Sequence, residues 1–215
     1  MGSRLEFLDP FWYKDCPSCF PLGRDSLELG RFAAVKPGWR VCDLGCGGGV
    51  LLLLLAGRAE KLELTGVELD GPSAQAAREN LARNGLSGTV RQGDLQSVEL
   101  PAGSFDLVVS NPPYFAQRSG RSGGGARMEE RCTLAELCKT AGRLLKYHGR
   151  FALVHRPERL AEIVCALRGA DLEPKRMQIL QHSASHPPFA LLMEGVKRGR
   201  PGLELLPVKI LTNET

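Results

Sequence analysis

The run Asn111-Pro112-Pro113-Tyr114 packs an amide, two stiff imino acids and an aromatic ring into four consecutive residues. Acceptors at the Asn111 side chain and the Pro112 carbonyl can bind both N–H groups of a flat amine. The two prolines stiffen the backbone that presents them, and Tyr114 can stack on the planar group bearing the nitrogen. A nitrogen of that kind has its lone pair delocalised into the ring or carbonyl and is a poor nucleophile, so holding it in place is the chemistry such a site supplies. Earlier in the chain stands Asp43-Leu44-Gly45-Cys46-Gly47-Gly48-Gly49, whose glycines let a ligand approach the backbone with no side chain in the way. Glu68 follows about twenty residues later, where a carboxylate accepts hydrogen bonds from ribose hydroxyls. Asp94 can accept from an exocyclic amine, and Asp70 reads as a helix cap.

These residues fall at the ends of strands. RVCDLG, ELTGVELD, TVRQGDL and FDLVVSNPPY read as the first four strands, and RFALVH as the fifth. Between them GVLLLLLAGR, PSAQAARENLARNG and CTLAELCKTAGRLLK read as helices, the second with Pro72 in its first turn and Gly85 as its C-cap, the third closed by Gly149. PERLAEIVCALRGA is a further helix, and KRMQILQH and FALLMEGVKR are two last strands with no helix between them. Alternation of strand and helix predicts an α/β, doubly wound, mostly parallel seven-stranded sheet with an antiparallel C-terminal hairpin at one edge. Its crevice lies at the strand C-termini. Asp25 and Glu28 read as a capping box for a helix over 26–35. Residues 1–24, with Phe11, Trp12 and Tyr13, are expected as an irregular N-terminal flap ahead of a single domain over 25–215.

The chain of 215 residues is 43% apolar and 24% charged, too apolar for a disordered chain. Its longest apolar run, Val50 to Ala56, is far short of the roughly 20 residues a membrane helix needs, and MGSRLEF has no signal-peptide core. A soluble cytoplasmic protein with no membrane partner is expected. Seven cysteines, odd in number and scattered, argue for reduced thiols. Cys16-Pro17-Ser18-Cys19 lacks a second half-site, so no metal is expected. Residues 1–107 carry 11 Lys and Arg against 14 acids, while 108–215 carry 17 against 10. A basic second half points to a polyanion.

The D-x-G-x-G-x-G loop resembles that of class I S-adenosylmethionine-dependent methyltransferases; a dinucleotide fingerprint would need glycine where Val50 stands. Asn111 to Tyr114 resembles the [DNS]-P-P-[YF] motif of methyltransferases acting on adenine N6, cytosine N4, guanine N2 or a glutamine amide. NPPYF, ARMEERCTLAEL, LLKYHGRFALVHRPERLAEIVCALRGADLEPKR and LLMEGVKRGRPGLELLP together resemble the bacterial tRNA(Val) adenine-37 N6-methyltransferase family, from about Phe20 to Val208. The resemblance implies a Rossmann-like class I methyltransferase fold, S-adenosylmethionine as cofactor and tRNA as partner. It assigns Asp43, Gly45, Gly47, Glu68, Asp94 and Asn111 to the cofactor, for which Gly49, Leu69 and Leu95 are further candidates, and Asn111, Pro112, Pro113 and Tyr114 to the base. Phe115, Arg118, Arg121, Arg127 and Arg156 are candidates for the RNA, the first four in or beside a Gly/Arg-rich tract. Glu130 also matches a family position.

Rival readings share the motif. A release-factor glutamine methyltransferase carries a helical N-terminal domain of several tens of residues, and about 24 residues precede the first helix here. A DNA adenine methyltransferase needs a target-recognition domain, so DNA is not the expected partner. Ribosomal RNA guanine N2-methyltransferases typically have a second domain. A degenerate RNA-binding module is opposed by the intact Gly45, Gly47, Glu68, Asp94 and Asn111. The expected activity is methyl transfer to an adenine N6 in a tRNA anticodon loop, position 37, by direct in-line displacement without metal or covalent nucleophile.

Overall fold

The computed structural model describes residues 4–112 and 132–212. Its main sheet is built from β3 (Arg40–Leu44), β4 (Glu63–Glu68), β5 (Gly88–Gln92), β6 (Phe105–Ser110), β7 (Leu145–His155), β8 (Leu172–Gln181) and β9 (Ala190–Lys197). The order across the sheet is β5-β4-β3-β6-β7-β9-β8. β5, β4, β3, β6 and β7 are parallel, and β9 inserts antiparallel between β7 and β8. The edge hairpin is therefore as the sequence predicts. The sheet has two more members, β10 (Glu204–Leu205) and β11 (Lys209–Ile210), each pairing in parallel with the outer edge of β8. Pro207 lies between them, where a residue without an N–H cannot continue a ladder.

Side chains alternate across the strands and both faces are apolar, as a parallel sheet wound on both sides requires. Val41, Leu107, Val109, Ala152 and Val154 pack under α1 (Arg24–Phe32), α2 (Val50–Ala56) and α3 (Gly71–Arg83). Cys42, Leu44, Val108, Phe151 and Leu153 pack under α4 (Leu134–Leu144) and α5 (Leu160–Gly169). Asp70 caps α3 as expected, its carboxylate accepting from the Ser73 N–H at 2.9 Å and the Ser73 hydroxyl at 2.7 Å. Gly85, just past the end of α3, takes φ +65, which suits glycine at a helix end.

Four expectations are corrected. Asp25 and Glu28 form no capping box: α1 begins at Arg24 behind Gly23 and ends at Phe32, and Glu28 is buried in ion pairs with Arg31 (2.6 Å) and Lys209 (2.5 Å). The helix of residues 134–144 does not reach Gly149, because Leu145 already pairs with Phe105 and opens β7, which runs through Gly149. The N-terminal segment is not irregular throughout. β1 (Leu5–Phe7) and β2 (Trp12–Lys14) form an antiparallel hairpin, tied to α3 by Asn80 and Asn84. Finally, Cys16 and Cys19 are joined as a disulfide rather than left as thiols, across a turn closed by the Cys19 N–H on the Cys16 carbonyl.

Among the described residues no helix is long and apolar enough to cross a membrane.

Candidate active site

The C-terminal ends of β3, β4, β6 and β7 open onto one cavity of about 430 Å³, within the usual range for small-molecule sites. Its floor is the turn from β3 into α2. Gly45, Gly47 and Gly49 all have positive φ (+76, +50 and +85), a backbone shape that side chains resist. The N–H groups of Gly45 and Cys46 both bond to the Val67 carbonyl, and that of Gly47 bonds to Glu68 Oε2 at 2.8 Å. Gly49 does not line the cavity: it caps α2, and a Cβ there would press on Ala77 of α3 at 3.3 Å.

Two buried acids face this floor. Glu68 holds the Gly47 N–H on one oxygen and the Asp70 N–H on the other (2.9 Å), leaving one lone pair per oxygen for a ligand. Asp43 is 1% exposed, and neither of its carboxylate oxygens has a hydrogen-bond partner among the described residues. Burial, reinforced by the charge of Glu68, pushes the Asp43 carboxyl well above the usual carboxylate range. Asp94, Leu69 and Leu95 line a small adjoining cavity that shares Gly45, Leu95 and Cys132 with the main one. Asp94 accepts from the Gln96 N–H with Oδ1. The three strand-end acids thus lie round one site, with Asp94 in its own recess.

β6, paired beside β3, delivers Asn111 and Pro112 to the same cavity. The Ser110 hydroxyl donates to the Leu44 carbonyl at 2.7 Å, pinning the end of β6 to the end of β3. The Asn111 amide nitrogen donates to the Ser26 hydroxyl at 2.7 Å. Arg156 lines the rim beside His155 and Arg159. His155 is buried, its Nδ1 accepts the Arg156 N–H, and burial, aided by the Arg159 charge, lowers its pKa to about 4. Pro113, Tyr114, Phe115, Arg118, Arg121, Arg127 and Glu130 lie outside the described residues.

Comparison with known proteins joins this geometry to a family. The family described as methyltransferase small domain matches residues 32–165. A relative from Tolumonas auensis named tRNA1(Val) (adenine(37)-N6)-methyltransferase is 30% identical over 179 residues, covering 80% of this chain and 75% of its own. One of the same name from Aeromonas hydrophila is 35% identical with the same coverage. This chain belongs to that methyltransferase family. The fold agrees: a crystal structure described as a predicted O-methyltransferase from Agrobacterium tumefaciens superposes with a TM-score of 0.72 over 89% of each chain at 23% identity.

The cofactor of this methyltransferase is S-adenosylmethionine, and the residues present fit it. That molecule carries a sulfonium and an ammonium, and a buried carboxylate without a partner beside a second buried carboxylate calls for positive charge. The remaining lone pairs of Glu68 suit ribose hydroxyls, and the recess holding Asp94 suits an adenine edge.

Several residues of the methyltransferase site have no signature in the sequence. Tyr13 of β2 is 2% exposed and lies over Gly48, where a Cβ would meet its hydroxyl at 2.6 Å. Ser18 to Gly23 form the rest of that wall, with the Ser18 hydroxyl 3.1 Å from that of Ser73. The aromatic run at 11–13 was the available signal, but it does not say which ring faces inward. Ser26 gave none.

Proposed function

We propose that this methyltransferase methylates the exocyclic N6 of an adenine in tRNA, at position 37 of the anticodon loop. The observation that carries the reading is that Asn111 and Pro112 share one cavity with the glycine loop, Asp43 and Glu68. A planar amine held by the first pair thus faces a cofactor held by the second. The names of the relatives supply the acceptor: two of them are tRNA1(Val) (adenine(37)-N6)-methyltransferases.

When bound, S-adenosylmethionine supplies a methyl carbon made electrophilic by the sulfonium. Asp43, Gly45, Gly47, Glu68, Leu69, Asp94 and Leu95 hold it. The Asn111 carbonyl oxygen and the Pro112 carbonyl accept the two N–H groups of the target and orient its lone pair. Tyr114 stacks on the base, and Pro113 stiffens the backbone between them. An unpaired anticodon-loop purine reaches such a site at small cost, since no base pair has to open. Phe115, Arg118, Arg121, Arg127 and Arg156 contact the RNA, with the basic second half along the phosphates, so activity falls steeply with salt. Residues 1–24 act as a flap over a single catalytic domain of residues 25–215, and a tRNA substrate places the reaction in the cytoplasm.

The test is incubation of the full chain with methyl-labelled cofactor and unmodified bulk tRNA, followed by digestion to nucleosides and mass separation. An N6-methyladenosine peak is the expected result. No label in tRNA from an enzyme that still binds the cofactor would overturn the assignment and move it to a protein glutamine or a ribosomal RNA guanine.

A further inference from the structure

An asparagine amide has two ends of opposite chemistry: its carbonyl accepts hydrogen bonds and its amino group donates them. Half a turn about the last side-chain torsion exchanges the two within nearly the same volume. The target amine offers N–H donors, so only one of the two orientations receives it. The other sets donor against donor. Nothing in the sequence Asn-Pro-Pro-Tyr chooses between them.

The orientation present in the structure has its partner 85 residues away. Ser26 lies in α1, is 7% exposed, lines the cavity and takes the Asn111 Nδ2–H on its hydroxyl at 2.7 Å. We propose that Ser26 is a positioning residue that locks the Asn111 amide with its carbonyl toward the target, and so makes the site selective for a nitrogen that donates hydrogen bonds. This rests on the reading that Asn111 receives the target amine. The hydroxyl stands on a braced element. Arg58 donates to the Gly30 and Ala33 carbonyls of the α1 end, and Glu28 takes both Arg31 and Lys209. The Ser26 N–H is itself held by Asp25 Oδ1 at 2.8 Å. A side chain fixed in this way holds its partner more narrowly than one on a loop.

The experiment measures kcat, KM for tRNA and cofactor Kd in the full chain. Ser26→Ala is expected to lower kcat roughly ten-fold, the scale of one lost hydrogen bond, with cofactor Kd and melting temperature held. Ser26→Thr, which keeps a hydroxyl, restores most of the rate. The deciding variant is Asn111→Asp, because a carboxylate accepts at both ends and needs no orienting. In that background Ser26→Ala should cost about two-fold or less. An equal loss in both backgrounds would show that Ser26 merely supports α1, and would overturn the proposal. So would an Asn111→Asp enzyme without activity. If Asn111→Ala leaves turnover unchanged, it is the reading of Asn111 that fails. If Asn111→Ala abolishes turnover while Ser26→Ala does not slow it, the role of Ser26 alone fails.

Discussion

Asp43 and Glu68 stand at the ends of adjacent parallel strands, both buried, and among the described residues only Glu68 is bonded by backbone N–H groups. Burial, with the charge of Glu68 added, raises the Asp43 pKa, and burial, with the charges of Asp43 and Glu68 added, raises that of Cys46. The pair is thus short of positive charge until a cation arrives, and a cationic cofactor supplies it.

Affinity for S-adenosylmethionine should therefore depend on pH. A cation binds the ionised Asp43 more tightly than the neutral acid, so binding drives a proton off. The Kd falls as pH rises through the raised Asp43 pKa and levels above it. Calorimetric titration carried upward in pH from the ordinary carboxylate range reads this slope, and Asp43→Asn should flatten it while weakening binding. A slope that survives the substitution would assign the proton elsewhere.

Asn111→Ala should retain tRNA and cofactor binding and lose most turnover, by about 100-fold or more, since it deletes an acceptor used in orienting the amine. Single-turnover kinetics at saturating substrates measure it. Turnover near that of the unmodified enzyme would contradict the mechanism.

Asp94→Ala should raise the cofactor KM about ten-fold and leave kcat within a few-fold, because the recess it lines lies apart from Asn111. An unaltered KM would mean that Asp94 serves only its own turn, through the Gln96 N–H.

Gly48→Ala would place a Cβ 2.6 Å from the Tyr13 hydroxyl and 3.1 Å from its ring edge. The Tyr13 ring must shift, which disturbs one wall of the cavity. Cofactor Kd should rise several-fold with the melting temperature little changed, and adding Tyr13→Phe should recover part of the loss by removing the nearest atom. Full affinity in the single variant would show that the hairpin does not shape the site.

His155 should make the fold acid-sensitive. Unfolded histidine takes up a proton near its ordinary pKa of 6.5, whereas burial holds His155 neutral down to about 4. Below pH 6.5 the unfolded chain binds the extra proton, so stability falls as pH drops through that window, by at most about 3 kcal/mol. Denaturant midpoints of the native chain and of His155→Gln, compared at each pH, isolate this contribution. Parallel curves would refute it.

The alternation of apolar strands and helices made the doubly wound sheet legible, because a strand buried on both faces leaves an unbroken apolar run such as Leu107-Val108-Val109. Glycine spacing and strand-end acids were legible for the same local reason: conformation at Gly45 and Gly47, and the place of Glu68 after its strand, depend on near neighbours. The capping of α1 was misread because Glu28 is claimed by Lys209, a partner 181 residues away. Gly149 does not close the helix because the pairing of Leu145 with Phe105 ends it four residues earlier.

By itself, then, the sequence determined the fold class, the family and the strand ends at which acids, glycines and Asn111 stand, since all of these are encoded in short-range order. Only the tertiary structure decided that Glu68 is bonded while Asp43 has no partner among the described residues, that Gly49 serves packing, that Tyr13 closes over Gly48, and that Ser26 holds the amide of Asn111. Those are contacts between segments far apart in the chain, set by how α1 and the N-terminal hairpin pack over the sheet, and no local pattern of residues records them.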